Sequence, residues 1–204
     1  MGNSFNTRKF LSRKYSGIYI LTGSPNYNPD YTLVKNAIES TGITLTSTQN
    51  NAGNTLVNDL QSNGVWGDCV AIYGILGGTA GAHKWNWKNP LDTNAAFRLN
   101  FSTGWTHSST GMLPNGTTAY AQTFIVPQNV YSNIYLCSFG FYSRTNIIAS
   151  QVEMGSFNPA NISGIYLLYN YSNQAYSAIN SLEGFRPSPA NPTTGMLIGS
   201  RIVS

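Results

Sequence analysis

Apolar residues recur along this chain in two rhythms, and the change between them falls near Trp66. Before it, Leu33, Val34, Ala37 and Ile38 stand at helical spacing, and Ala52, Leu56, Val57 and Leu60 repeat the pattern. Asp30 is placed to cap the first helix, because its carboxylate can accept from the free amides of the first turn. Gly42 falls where a left-handed cap would end it. Ser47 or Thr48 opens the second helix and Gly64 closes it. Two short amphipathic helices form a hairpin that must bury its apolar stripe against something larger.

After Trp66 the period moves towards two. Strands are predicted at 69–76, 95–101, 118–126, 134–142, 147–154, 164–171, 174–180 and 196–203. Asn115-Gly116 suits a tight turn, and Gly77-Gly78 permits a sharp reversal that a Cβ would resist. Eight short strands with no further helix predict a mainly β fold, an antiparallel β-sandwich of jelly-roll form behind an α-helical hairpin. The expected organisation is an N-terminal arm over residues 1–29, a helical hairpin over 30–64, and the sandwich over 65–204.

Charge changes the picture next. Charged residues make up only 9% of the chain, against roughly 25% in an average globular domain. Asn, Ser, Thr, Gly and Tyr fill the gap, as in secreted, extracellular or virion proteins. The formal charge of +4 is concentrated in the arm, where Arg8, Lys9, Arg13 and Lys14 have no acid among them. A solvated or partner-docked terminus explains such an arm better than nucleic-acid binding. No run approaches the roughly 18 apolar residues of a membrane span, and no signal-peptide core is present, so a soluble chain is expected. Cys69 and Cys137 belong to no Cys-x-x-Cys motif. They can pair only if their strands are neighbours with suitable geometry, and two free buried thiols are the other reading.

A series of motifs then follows in order. It runs Val65-Trp66, Ile72-Tyr73, Gly77-Gly78-Thr79-Ala80, Ala82-His83-Lys84-Trp85-Asn86, Asn89-Pro90-Leu91-Asp92 and Ala95-Ala96-Phe97-Arg98-Leu99. Next come Trp105-Thr106-His107-Ser108, Pro114-Asn115-Gly116-Thr117, Tyr120-Ala121 and Tyr142-Ser143-Arg144-Thr145-Asn146. The series, covering roughly residues 30–150, resembles a group of bacteriophage virion proteins of the tail, fibre and head-decoration kind. Their domain is similar to a concanavalin A-like (laminin G-like) jelly roll. The resemblance implies a virion location, a structural role, and partnership with other virion proteins and further copies of this chain. It also implies more strands beyond Leu197-Ile198-Gly199, so a sandwich left incomplete here or finished by a neighbouring subunit is expected. It supplies no catalytic set.

The residues themselves offer little chemistry. Between Trp66 and Phe124 the only acids are Asp68 and Asp92; Glu153 and Glu183 follow much later. Glycan hydrolysis needs two carboxylates about 5–10 Å apart, and no paired-acid motif occurs. Asp92 reads as a turn former and Glu153 as an outward residue on its strand. His83 and His107, the only histidines, have no acid within eight residues, and a zinc site needs three or four ligands; each is expected to make a structural hydrogen bond instead. No Gly-x-Ser-x-Gly elbow occurs, and Gly77–Gly81 lacks the Lys-Ser/Thr of a phosphate loop. No enzyme, cofactor or metal is therefore expected. Trp85 and Trp87 alternate around Asn86 and would share one face of a strand, where they could stack on a host-surface glycan. Packing in the core is the favoured reading of the pair. A carbohydrate-binding adsorption module is the alternative function.

Overall fold

The computed structural model describes residues 26–131, 136–145, 151–158, 163–171, 174–179 and 194–201. The basic arm expected at 1–29 lies almost wholly outside them, as does Glu183. The described architecture is mixed: helices together with small antiparallel sheets, rather than mainly β.

Helix α1 spans Pro29–Glu39 and α2 spans Ser47–Ser62. The cap of α1 is Asn28, not Asp30: its Oδ1 accepts from the Asp30 amide at 3.0 Å. Pro29 takes the first helical position, where the missing N–H costs nothing. Asp30 instead lies in the first turn and accepts from Gln61 Nε2 at 2.6 Å. The cap of α2 is Thr46, one residue before the expected Ser47. Thr46 and Gln49 form a reciprocal capping box: the Gln49 amide donates to Thr46 Oγ1 at 3.2 Å, and the Thr46 amide donates to Gln49 Oε1 at 3.0 Å. Both helices end beside left-handed glycines, Gly42 at φ +85° and Gly64 at φ +72°.

The inward stripe differs from the apolar list on both helices: Leu33 on α1 and Ala52 and Leu56 on α2 are exposed. Tyr31, Val34 and Ile38 are fully buried on α1. On α2 the buried residues are Asn50, Gly53 and Val57. The Tyr31 ring occupies the space a side chain at Gly53 would need, and its hydroxyl donates to Asn50 Oδ1 at 3.0 Å. Asn50 in turn donates to the Leu45 carbonyl at 3.1 Å. Across the helix mouth, Asn28 Nδ2 donates to Asn58 and Gln61. Amides here do what charges do in other proteins.

The hairpin finds its larger partner in residues 66–99. Tyr31, Val34, Ile38, Leu45, Val57, Ala82, Trp85 and Trp87 form one core, with Trp66, Ile72 and Leu76 packed against it. The expected strand at 69–76 is an extended run without a ladder partner. Its place is held by Asn86, a buried side chain that uses its full hydrogen-bonding capacity. Asn86 Oδ1 accepts from the amides of Ile72 and Lys88, and Nδ2 donates to the carbonyls of Val70 and Ala96, at 3.1–3.3 Å. Gly77 and Gly78, at φ +89° and +80°, reverse the chain as expected. They lead into a single helical turn, α3 (Ala80–His83), capped by Thr79.

Short strands follow. β1 (Asn100–Phe101) pairs with β4 (Ala121–Gln122), while β2 (Trp105–Ser108) and β3 (Gly111–Pro114) form a hairpin. The strands expected over 95–101 and 118–126 therefore shrink to two residues each, the first preceded by a 3-10 turn at Asn94–Ala96. The hairpin was not expected. β5 (Cys137–Ser143) pairs with β9 (Gly195–Arg201), and β6 (Gln151–Asn158), β7 (Ser163–Tyr171) and β8 (Gln174–Ile179) form a meander. β5, β7, β8 and β9 lie close to where alternation placed them, whereas β6 begins and ends four residues later than the expected 147–154. Arg201 Nη1 on β9 donates to the Ile179 carbonyl of β8 at 2.8 Å. Among the described residues the largest sheet has three strands.

Candidate functional site

Chemistry-bearing side chains gather where α3 meets the β2–β3 hairpin. His83 closes α3 and is 1% exposed. His107 faces it from β2, with the two Nδ1 atoms 3.0 Å apart and ring centroids 5.1 Å apart. The Gly78 amide points at the other side of His83, 3.1 Å from Nε2.

These two distances determine where the protons sit. A backbone N–H can only donate, so Nε2 of His83 is the acceptor and its proton lies on Nδ1. That Nδ1–H donates to Nδ1 of His107, whose own proton is then on Nε2. Both rings are neutral. Burial, and then the neighbouring His107, hold His83 down at about 4, and burial also lowers His107. A metal on His83 Nδ1 would move that proton to Nε2, where it would oppose the Gly78 amide. Among the described residues no group of three or more His, Cys, Asp or Glu side chains converges on a metal-sized site.

His107 also belongs to an aromatic cluster. Phe101 stands edge-on to it with centroids 4.8 Å apart, and Trp105 packs on Phe101 at 5.6 Å. The Trp105 indole N–H donates to the Tyr120 carbonyl at 3.0 Å, which joins the hairpin to the chain entering β4.

The other sequence candidates occupy structural positions. Trp85 and Trp87 are 6% and 3% exposed, so neither indole offers a face to a sugar ring unless the core opens. Trp87 packs 6.0 Å from the Tyr31 ring and fills the space beside Gly74. Asp92 does not cap a turn; it receives Lys84 Nζ at 2.6 Å and Arg98 Nε at 3.3 Å. Glu153 is exposed, as expected, at the irregularity where β6 shifts register between Val152 and Met154. Cys69 and Cys137 are not joined in a disulfide, and burial pushes both thiols upward, away from the reactive thiolate. No helix among the described residues is long and apolar enough to cross a membrane.

The chain matches no family model, no curated protein and no solved structure. Function must therefore be argued from the molecule. The histidine pair was missed from sequence because 24 residues separate its members. The available signal was the alternation of Trp105 and His107 on one strand face, opposite the reversal at Gly77-Gly78.

Proposed function

We propose that this chain is a non-catalytic structural component of a bacteriophage particle, of the head-decoration, fibre or tail kind. The observation that carries the reading is the β5–β9 ribbon. On one face, Tyr142, Met196 and Ile198 are 68%, 58% and 60% exposed. Tyr142 lies directly across from Met196, and Ile198 across from Gly140. Ser138 and Ser200, bonded to each other through their hydroxyls at 2.8 Å, continue the face without adding charge. Such an uncharged apolar ribbon gains from being covered by a neighbour.

The small antiparallel sheets support the same reading, because sheets with open edges suit a jelly roll completed within an assembly. The concanavalin A-like form is the finer part of this proposal. The sparse charge and the ordered motif series around Trp66–Leu99 point to virion proteins. Other virion proteins and further copies of this chain are the partners proposed, and the virion is the location. An enzymatic role draws no support from the carboxylates, since Asp92 is consumed by two cations. A glycan-binding role draws none from Trp85 and Trp87.

The test is mass spectrometry of phage particles purified from the source culture. Peptides of this chain are expected in the particle fraction in proportion to a structural copy number. Their confinement to the particle-free fraction would refute the proposal.

A further inference from the structure

The β2–β3 hairpin touches the helical core at few points. His107 meets His83, and the backbone at Ser108 and Ser109 passes so close to Gly78 that a Cβ there would lie 3.0 Å from the Ser109 nitrogen. At the tip of the hairpin the Thr110 carbonyl accepts from Arg144, just beyond β5. The hairpin thus bridges the helical core and the strand region, and the histidine pair is its fastening to the core.

We propose that His83 and His107 form an acid-sensitive latch, closed when both rings are neutral and opened when the pair takes up one proton. The argument is one of proton placement. Neutral, the pair and Gly78 form a chain in which each N–H meets a lone pair. Adding one proton leaves three protons on four ring nitrogens. If His83 Nε2 carries one, it opposes the Gly78 N–H. If Nε2 stays bare, both Nδ1 atoms are protonated and oppose each other at 3.0 Å. Every arrangement loses at least one of the two hydrogen bonds and brings a charge towards a buried ring.

Among the described residues no acid stands ready to compensate. On α1, Glu39 pairs with Lys35; between α3 and β1, Asp92 pairs with Lys84 and Arg98. Arg144, from the end of β5, adds positive charge near the hairpin tip. The electrostatic influence on His83 comes from His107 and not from a carboxylate. Relief comes by separation: His107 swings into water with the hairpin, and the core behind His83 remains.

Amide hydrogen exchange on the full chain, corrected for intrinsic rates, reads the latch directly. As pH falls from 6.5 to about 4, protection of Thr106–Met112 and Gly78 is expected to drop by roughly tenfold per pH unit, from a level already below that of α1 and α2, whose core amides exchange only on global unfolding. Hairpin protection that equals the helices' throughout this range, or that does not change with pH, would overturn the proposal. The variant His83→Gln keeps an acceptor for the Gly78 amide and leaves only His107 to titrate in the pair, so its hairpin protection should fall less steeply than the parent's; a slope equal to the parent's contradicts the latch. Nitrogen NMR of the parent near neutral pH is independent of whether that variant folds. It should find the proton on Nδ1 of His83 and on Nε2 of His107, and the opposite tautomers would defeat the argument.

Discussion

Replacing Gly53 with alanine sets two well-measured effects against each other, and the structure decides the sign. Gly53 lies in the interior of α2, where alanine is normally favoured by about 1 kcal/mol. Here the new Cβ would lie 2.3 Å from Tyr31 Cε2 and 2.8 Å from Cζ, whereas ordinary carbon contacts begin at about 3.5 Å. The ring or the helix must move by about 1 Å. Tyr31 has no free space to move into: it is fully buried, its hydroxyl is committed to Asn50, and Tyr27 and Trp87 flank it. Overpacking of this kind costs about 1–3 kcal/mol, and a strained or broken Tyr31–Asn50 bond adds about 1 kcal/mol. Gly53→Ala should therefore destabilise the chain by about 1–3 kcal/mol net. Urea unfolding followed by tryptophan emission and by helical ellipticity measures it. The double variant with Tyr31→Leu should lose less than the sum of the two single changes, because the smaller residue vacates the clash. A Gly53→Ala protein more stable than its parent would refute the packing of α1 on α2 described here.

Other expectations follow from the same core. Asn86→Ala leaves four backbone groups, buried or partly buried, without their partner; a loss of about 2–3 kcal/mol is expected, and a loss below about 1 kcal/mol would show that the loop is held by something else. Trp87→Ala opens a large cavity against Tyr31 and should cost about 3–5 kcal/mol in chemical denaturation; a folded, fully stable variant would contradict its placement in the core. Global stability should also fall in acid. His83 is held below its ordinary value of 6.5, at about 4, so the unfolded chain binds the extra proton between those values. Its contribution is complete above 6.5 and is lost as pH falls towards 4, about 3 kcal/mol in all. Stability that is flat from pH 7 to 4 in the parent but not in His83→Gln would reverse that sign.

Parts of this fold were legible from residue pattern, and the failures have physical causes. The two helices announced themselves through the spacing of their apolar residues and the glycines that end them, whereas their caps, Asn28 and Thr46, were not recognised. Their inner faces were less clear, since Tyr31 and Gly53 form a ring-and-notch contact that an aliphatic stripe does not reveal. The run from Cys69 to Leu76 reads equally as a buried strand or an extended segment. It becomes the latter because a side chain, Asn86, satisfies its backbone in place of a neighbouring strand. β5, β7, β8 and β9 were found because their alternation is long enough to be decisive. β2 and β3 escaped notice because strands of four residues are too short for alternation to show, and β3 ends in a proline. Trp85 and Trp87 were recognised as a pair, but alternation alone did not say which side faced water. The histidine pair is a tertiary fact, made by the Gly77-Gly78 reversal and the hairpin together.

The central claim, a structural chain whose β5–β9 ribbon is covered by neighbours, is tested most directly by sedimentation velocity on the purified full chain over a wide concentration range. The account predicts a sedimentation coefficient that rises with concentration, and a return to monomer in the double variant Met196→Ser, Ile198→Ser with its helical ellipticity unchanged. A parent chain that remains monomeric at every concentration, or a ribbon variant that assembles as the parent does, would contradict it.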